Sequence, residues 1–186
     1  MGKLILVLGG ARSGKSAVSE AKVSELADEI VYIATMEPND EELKERVKRH
    51  KKMRPAEWKT VEEPLLVQEA VQRESKSGVA ILIDCLTLFV SNCMMKNMSE
   101  DEIVIKVKKL ALECKRSKVD VVIVSNEVGM GVVPPSESGR AFRDIQGFAN
   151  QAVAKAADEV YFTIAGIPIN IKPNASIGAA KNAEGG

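Results

Sequence analysis

Apolar residues fall in short continuous runs: Leu4–Leu8, Ile30–Ala34, Val79–Ile83, Val119–Val124 and Val160–Ile164. Runs of that length with no polar face predict strands covered on both sides. Between them the spacing shifts to the helical period. From Ser99 to Lys118, Ile103, Val107, Leu110, Ala111 and Cys114 share one face, and Ser99 with Glu102 forms a capping box at the start. From about Gly139 to Ala157, Phe142, Ile145, Ala149, Ala152, Val153 and Ala156 stack in the same way. Strands alternating with helices predict an α/β fold, a mostly parallel central sheet with right-handed crossovers. Ile167–Lys172 is expected to return along Val160–Ile164 through a turn near Gly166, giving an antiparallel C-terminal hairpin. Residues 1–172 read as a single domain, and the Gly- and Ala-rich stretch 173–186 as a frayed tail.

The first apolar run leads into Gly9-Gly10-Ala11-Arg12-Ser13-Gly14-Lys15-Ser16 and then into a helical pattern from Ala17. Strand, glycine-rich loop and helix N-terminus in that order are the context a phosphate-binding loop requires. The glycines let backbone N–H groups curl toward phosphate oxygens. Lys15 supplies a point charge for the outer phosphates, and the Ser16 hydroxyl suits Mg²⁺. The expected architecture is therefore a three-layer, P-loop NTPase-like fold that binds a nucleoside triphosphate. Asp84 ends the run Val79–Ile83 and reads as the acid of the Mg²⁺ site, with a helix N-cap as the other role open to it. Asp144-Ile145-Gln146-Gly147 matches the D-x-x-G pattern of GTPases but falls inside an expected helix, and the chain holds no N-K-x-D motif.

Composition narrows the partners. Lys+Arg and Asp+Glu both number 26, so the balance points to neither nucleic acid nor an anionic membrane surface. No apolar run reaches the roughly 20 residues that span a bilayer, and residues 1–8 lack the pattern of a signal peptide. The three cysteines, Cys85, Cys93 and Cys114, lack metal-site spacing and fit a reducing, cytoplasmic setting.

His50 is the sole histidine. It falls in an expected helix from about Asp40 to Met53, among Lys48, Arg49, Lys51, Lys52 and Arg54. Leu43, Val47 and His50 share a helical face, so the local sequence favours the imidazole as a core residue, with the cations a solvated, dipole-compensating helix end. The chemical alternative is a nucleophile: an imidazole with a pKa near 6.5 is largely neutral at pH 7, and its free nitrogen can attack phosphorus. Asn126–Pro134, with Gly129 and Gly131, reads either as a functional loop or as a turn needed only for folding.

The segments GGARSGKS at 9–16, YIAT at 32–35, RVKRHKKMRPAEW at 46–58, DCLT at 84–87 and NEVGMGVVP at 126–134 resemble the bifunctional adenosylcobinamide kinase/adenosylcobinamide-phosphate guanylyltransferases of cobalamin synthesis. Arg140, Arg143-Asp144, Gly147, Asn150-Gln151 and Ala157-Asp158 extend the resemblance, which runs in order from about residue 3 to 172. It implies a kinase and nucleotidyltransferase that uses GTP and ATP with Mg²⁺. By position, His50 matches the residue that carries GMP. Gly9–Ser16, Ala34, Thr35, Met36, Lys51, Lys52, Met53, Arg54, Glu62 and Asp84 match nucleotide-contacting positions, with Ser16 and Asp84 at the metal. The substrates implied are adenosylcobinamide and its phosphate, and the implied assembly is a homotrimer. Two positions depart from the family pattern: Arg49 stands where some members carry a second histidine, and Asp84 where some carry Glu. A plain small-molecule kinase or NTPase with a structural His50 is the alternative.

Overall fold

The computed structural model describes residues 1–37 and 55–172. The expected helix at Asp40–Met53, with His50 and Lys51–Arg54, and the expected tail at 173–186 lie outside the described residues. In chain order the elements are β1 (Leu4–Gly9), α1 (Lys15–Ser24), β2 (Glu29–Ala34), β3 (Lys59–Glu62), α2 (Val67–Glu74) and β4 (Val79–Asp84). Then follow α3 (Leu86–Met95), α4 (Glu100–Arg116), β5 (Val121–Asn126), α5 (Glu137–Ala156), β6 (Glu159–Ile164) and β7 (Ile167–Asn170).

The strands form one sheet in the order β3-β2-β4-β5-β1-β6-β7. All neighbours pair parallel except β6 and β7, which form the expected antiparallel hairpin. Both faces are covered, as the continuous apolar runs require. On one face Leu4, Leu6, Ile81, Ile83, Val121 and Ile123 pack against Val71, Phe89, Val107 and Ile145 from α2 to α5. On the other, Ile5, Val7, Tyr32, Leu82 and Val122 meet Val23 of α1 and Trp58. Successive residues of β1 thus serve opposite layers, which is the period-two geometry of a strand.

Local chemistry sets the boundaries. Ser99 accepts from the Glu102 amide, and the Glu102 carboxylate takes the Ser99 N–H, completing the capping box. β5 starts at Val121, two residues later than the hydrophobicity suggests, because Val119 sits in a turn where its N–H donates to the Ser117 hydroxyl at 3.1 Å. α5 starts earlier than the apolar face does. Ser136 caps it by accepting from the Gly139 amide at 3.2 Å, and Asp144–Gly147 lies well inside it. Three elements, β3, α2 and α3, had no expectation attached. α3 carries Leu86, Phe89, Val90 and Cys93 buried, but Leu88, Met94 and Met95 blur its polar face, so its period is weak in the sequence.

Candidate nucleotide site

The carboxyl ends of the parallel strands lie along one edge and set the candidate residues in a row. Glu62 ends β3, Ala34 ends β2 with Thr35 just beyond it, Asp84 ends β4, Asn126 ends β5 and the phosphate loop follows β1. The register places Glu62 opposite Ala34, Ala34 opposite Asp84, and Gly9 opposite Asn126. In open α/β sheets that crevice is where ligands bind. Because β5 lies between β1 and β4, about 10 Å, two strand spacings, separates Asp84's strand from the loop's strand.

The loop's shape depends on two close approaches. A Cβ on Gly9 would fall 2.3 Å from the Ser13 hydroxyl and 2.8 Å from the Thr163 carbonyl oxygen. Gly14, the N-cap of α1, has φ 91° and lies so near the β6–β7 turn that an added Cβ would stand 2.9 Å from Gly166 Cα. The Gly166 N–H also donates to the Ser13 carbonyl at 2.7 Å. The hairpin turn, with Ala165 and Gly166 both at positive φ, therefore braces the loop from outside the strand–loop–helix unit. Replacing Gly14 with alanine is expected to lower the melting temperature, since strained φ costs about 1–3 kcal/mol, and to weaken binding of a fluorescent GTP analogue. Unchanged affinity in titration would show that the brace does not shape the loop.

Electrostatically the loop is prepared for an anion. Gly14 brings no side-chain cap, so the first-turn N–H groups of α1, which lack intrahelical acceptors, face the site with the positive dipole end. Lys15 Nζ donates to the Gly10 carbonyl at 3.2 Å, which curls its half-buried side chain back over the loop. Ser16 stands in the first helical turn, half buried.

Across the edge, the Tyr32 hydroxyl donates to Asp84 Oδ2, anchoring one carboxylate oxygen while the group retains further acceptor sites. Among the described residues no cluster of three or more His, Cys, Asp or Glu could hold a metal. Mg²⁺ does not need one: it keeps waters and takes one or two protein oxygens alongside phosphates. Ser16 and Asp84 are hard oxygen donors of that kind, on either side of β5, and they fit the ion.

Thr35 is fully buried and its hydroxyl is already engaged. It donates to the Cys85 carbonyl and accepts from the Cys85 N–H, both at 2.8 Å. Asn92 of α3 donates to the Thr35 carbonyl at 2.7 Å. Thr35 thus ties the ends of β2 and β4 to α3 and holds its neighbours Ala34 and Met36, both half buried, at the edge. Cys85 follows Asp84 but offers no nucleophile, since burial, and secondarily the Asp84 charge, pushes its thiol up to about 12. Burial raises Cys93 and Cys114 as well, so no cysteine supplies a thiolate near neutral pH.

Motif reading did not single out the polar support under β5. Gln146 of α5 donates to the Ser125 hydroxyl and to Asn150 Oδ1, each at 2.9 Å, and Ser125 donates to Asn150 Oδ1 at 2.7 Å. Asn150 then donates to the Asn126 carbonyl at 3.1 Å, while the Asn126 N–H meets the Thr87 hydroxyl at 2.7 Å. Asn150 belongs to the Asn150-Gln151 segment of the resemblance, a signal with no role attached. The network fixes Asn126 between the loop and Asp84.

Comparison with known proteins places these features in a family. A family model described as cobinamide kinase / cobinamide phosphate guanyltransferase matches residues 5–171. The chain is 40% identical to the bifunctional adenosylcobalamin biosynthesis protein CobU of Salmonella typhimurium, covering 91% of this chain and 99% of that protein. It is 37% identical to the CobU of Escherichia coli, covering 91% and 99%. With the CobP of Pseudomonas aeruginosa it shares 38% identity over 90% and 96%. Among solved structures, an ATPase from a bacterial type III secretion system superposes with TM-score 0.56 at 12% identity, covering 87% of this chain and 51% of the other. That likeness concerns the fold alone.

Proposed function

Because the chain belongs to the cobinamide kinase / cobinamide phosphate guanyltransferase family, we propose that it phosphorylates adenosylcobinamide and then joins GMP from GTP to that phosphate, yielding adenosylcobinamide-GDP. The observation that carries the reading is the row of phosphate loop, Asn126 and Asp84 on one sheet edge in a chain that matches the family along nearly its whole length.

In the kinase step the loop amides and Lys15 hold the triphosphate, and the substrate hydroxyl takes the γ-phosphoryl group. Ser16 and Asp84 would hold Mg²⁺, which would supply positive charge to offset that of the phosphates. In the transfer step the neutral imidazole of His50 attacks the α-phosphorus of GTP. A nitrogen–phosphorus bond forms as the bond to pyrophosphate breaks. A phosphate oxygen of adenosylcobinamide phosphate then displaces the imidazole, which leaves with its electron pair restored. Two displacements, each with a competent nucleophile, replace one difficult step. Arg12, Lys15, Lys51, Lys52 and Arg54 offset the charge on the phosphates. Ala34, Thr35, Met36, Met53 and Glu62 complete the nucleotide contacts.

The enzyme is assigned to the cytoplasm and to a homotrimer. No helix among the described residues is long and apolar enough to cross a membrane. Ile167, Ile169 and Ile171, all exposed along β7 and just beyond it, support contact between copies.

Incubation with adenosylcobinamide, Mg²⁺, ATP and GTP should yield first the phosphate and then the GDP derivative by chromatography and mass spectrometry. Accumulation of the phosphate alone would reduce the enzyme to a kinase; no corrinoid product at all would sink the reading.

A further inference from the structure

The end of β5 is held by side chains as well as by the sheet. The Asn126 N–H donates to the Thr87 hydroxyl at 2.7 Å, and the Asn126 carbonyl accepts from Asn150 at 3.1 Å. Asn150 is itself fixed by Gln146 and Ser125. One residue on, the Glu127 N–H donates to the Gly9 carbonyl at 3.0 Å and ties β5 to the first residue of the phosphate loop. Both backbone groups of Asn126 are thus engaged, while its own carboxamide meets no hydrogen-bond partner among the described residues.

Alternation along β5 sets where that carboxamide points. Ser125 faces α5, where Gln146 and Asn150 bond its hydroxyl. Val124 faces the other way, into the layer of Val23 and Trp58. Asn126 follows Ser125 and so projects to the side of Val124, the face that α1 covers. Asp84 lies on that same face, since its partner Tyr32 packs in that layer. The register sets Asn126 opposite Gly9, one strand spacing of about 4.8 Å away. It stands two residues farther along the carboxyl edge than Asp84, which pairs with Val124. A rigidly held group with both a donor and an acceptor therefore stands on the face where Lys15, Ser16 and the first-turn amides of α1 meet the outer phosphates.

We propose that Asn126 is a catalytic residue of the kinase step, its carboxamide touching both the γ-phosphoryl group and the attacking hydroxyl, an inference that rests on the function proposed above. Nδ2 donates to a γ-phosphoryl oxygen, and Oδ1 accepts from the substrate hydroxyl, which lines the hydroxyl oxygen up with the γ-phosphorus. That oxygen forms its bond to phosphorus as the bond to the β-phosphate oxygen breaks, and the nucleoside diphosphate leaves with the electron pair. The hydroxyl proton passes to an oxygen of the transferred group and from there to water, so the carboxamide ends the step unchanged. A carboxylate in its place would repel the phosphates, and a side chain without the amide would leave the hydroxyl unaligned.

Asn126→Ala and the near-isosteric Asn126→Asp, which exchanges the donor for an anion, test this. Turnover of adenosylcobinamide with ATP and Mg²⁺ is measured beside the affinities for ADP and for the β,γ-imido analogue of ATP, and the melting temperature reports on the fold. The alanine variant should lose about 100-fold or more in kcat and about tenfold in affinity for the analogue. Its affinity for ADP and its melting temperature should match those of the wild type. The aspartate variant should bind the analogue still more weakly. Equal losses for ADP and the analogue, or an aspartate variant that works as the wild type does, would show a structural role and overturn the proposal. Analogue affinity lost with kcat intact would leave a binding contact alone and overturn the catalytic role. Wild-type protein that prefers the analogue to ADP but phosphorylates no corrinoid would refute the kinase reading; Asn126 then stands as the γ-phosphate contact if the alanine variant loses that preference, and falls if it keeps it.

Discussion

Replacing His50 with alanine is expected to abolish the guanylyl transfer while leaving phosphorylation of adenosylcobinamide within about threefold of the wild type. The two reactions ask different things of the protein. Transfer of the γ-phosphoryl group needs a positioned hydroxyl, the phosphate loop and Mg²⁺, with no protein nucleophile. Transfer of GMP through the enzyme needs one, and burial withdraws the cysteines from that role: Cys85 is pushed up to about 12, and Cys93 and Cys114 are raised too. Loss of a covalent nucleophile costs on the order of 10⁴-fold or more in rate. With α-labelled GTP, the wild type should acquire acid-labile label and a mass gain matching GMP, and the variant should acquire neither. Label persisting in the alanine variant would move the nucleophile elsewhere. A wild type that never acquires label would favour the alternative of a plain kinase or NTPase, with His50 structural.

Lys15→Ala should impair both reactions together. Lys15 sits half buried in the first turn of α1 and curls over the loop to the Gly10 carbonyl, a position from which an ammonium can join the loop amides around the outer phosphates. A charge-assisted bond of this kind contributes about 1.5–3 kcal/mol, or roughly 10- to 100-fold in affinity. Further loss in kcat follows as charge develops on the transferred group. Titration with a fluorescent GTP analogue and both product assays should fall in parallel. Undiminished GTP affinity, or loss confined to one reaction, would mean that the two chemistries do not share this loop. His50→Ala and Lys15→Ala together therefore separate a shared nucleotide site from a reaction-specific nucleophile.

Much of this organisation was legible along the chain. The strands β1, β2, β4 and β6 were readable because residues covered on both faces must be apolar without interruption. The start of α4 was readable because a capping box needs Ser99 and Glu102 at a fixed spacing. The glycine-rich loop was readable because its backbone geometry demands glycine at 9 and 14, with Lys15 and Ser16 following at the spacing of a phosphate loop. By contrast β3, with Lys59, Thr60 and Glu62 on a sheet edge, carries no apolar run. α3 carries too many apolar residues for its period to stand out. The partners of Asp84 and Asn126 were not legible. Tyr32 lies 52 residues before Asp84, and Asn150 lies 24 after Asn126, and neither pairing leaves a local pattern.

By itself the sequence determined most of the strands, the glycine-rich loop between the first strand and its helix, and that Asp84 would end a strand. These depend on neighbours a few residues apart, and short-range spacing records them. The tertiary structure alone decided the strand order that puts Asn126 between the loop and Asp84. It also decided the hairpin turn that holds Gly14 from outside, and the arginines of α5, Arg140 and Arg143, that hold the segment after β5. Those relations join residues far apart in the chain through sheet register and close backbone approach, and such distances exist only once the layers have packed.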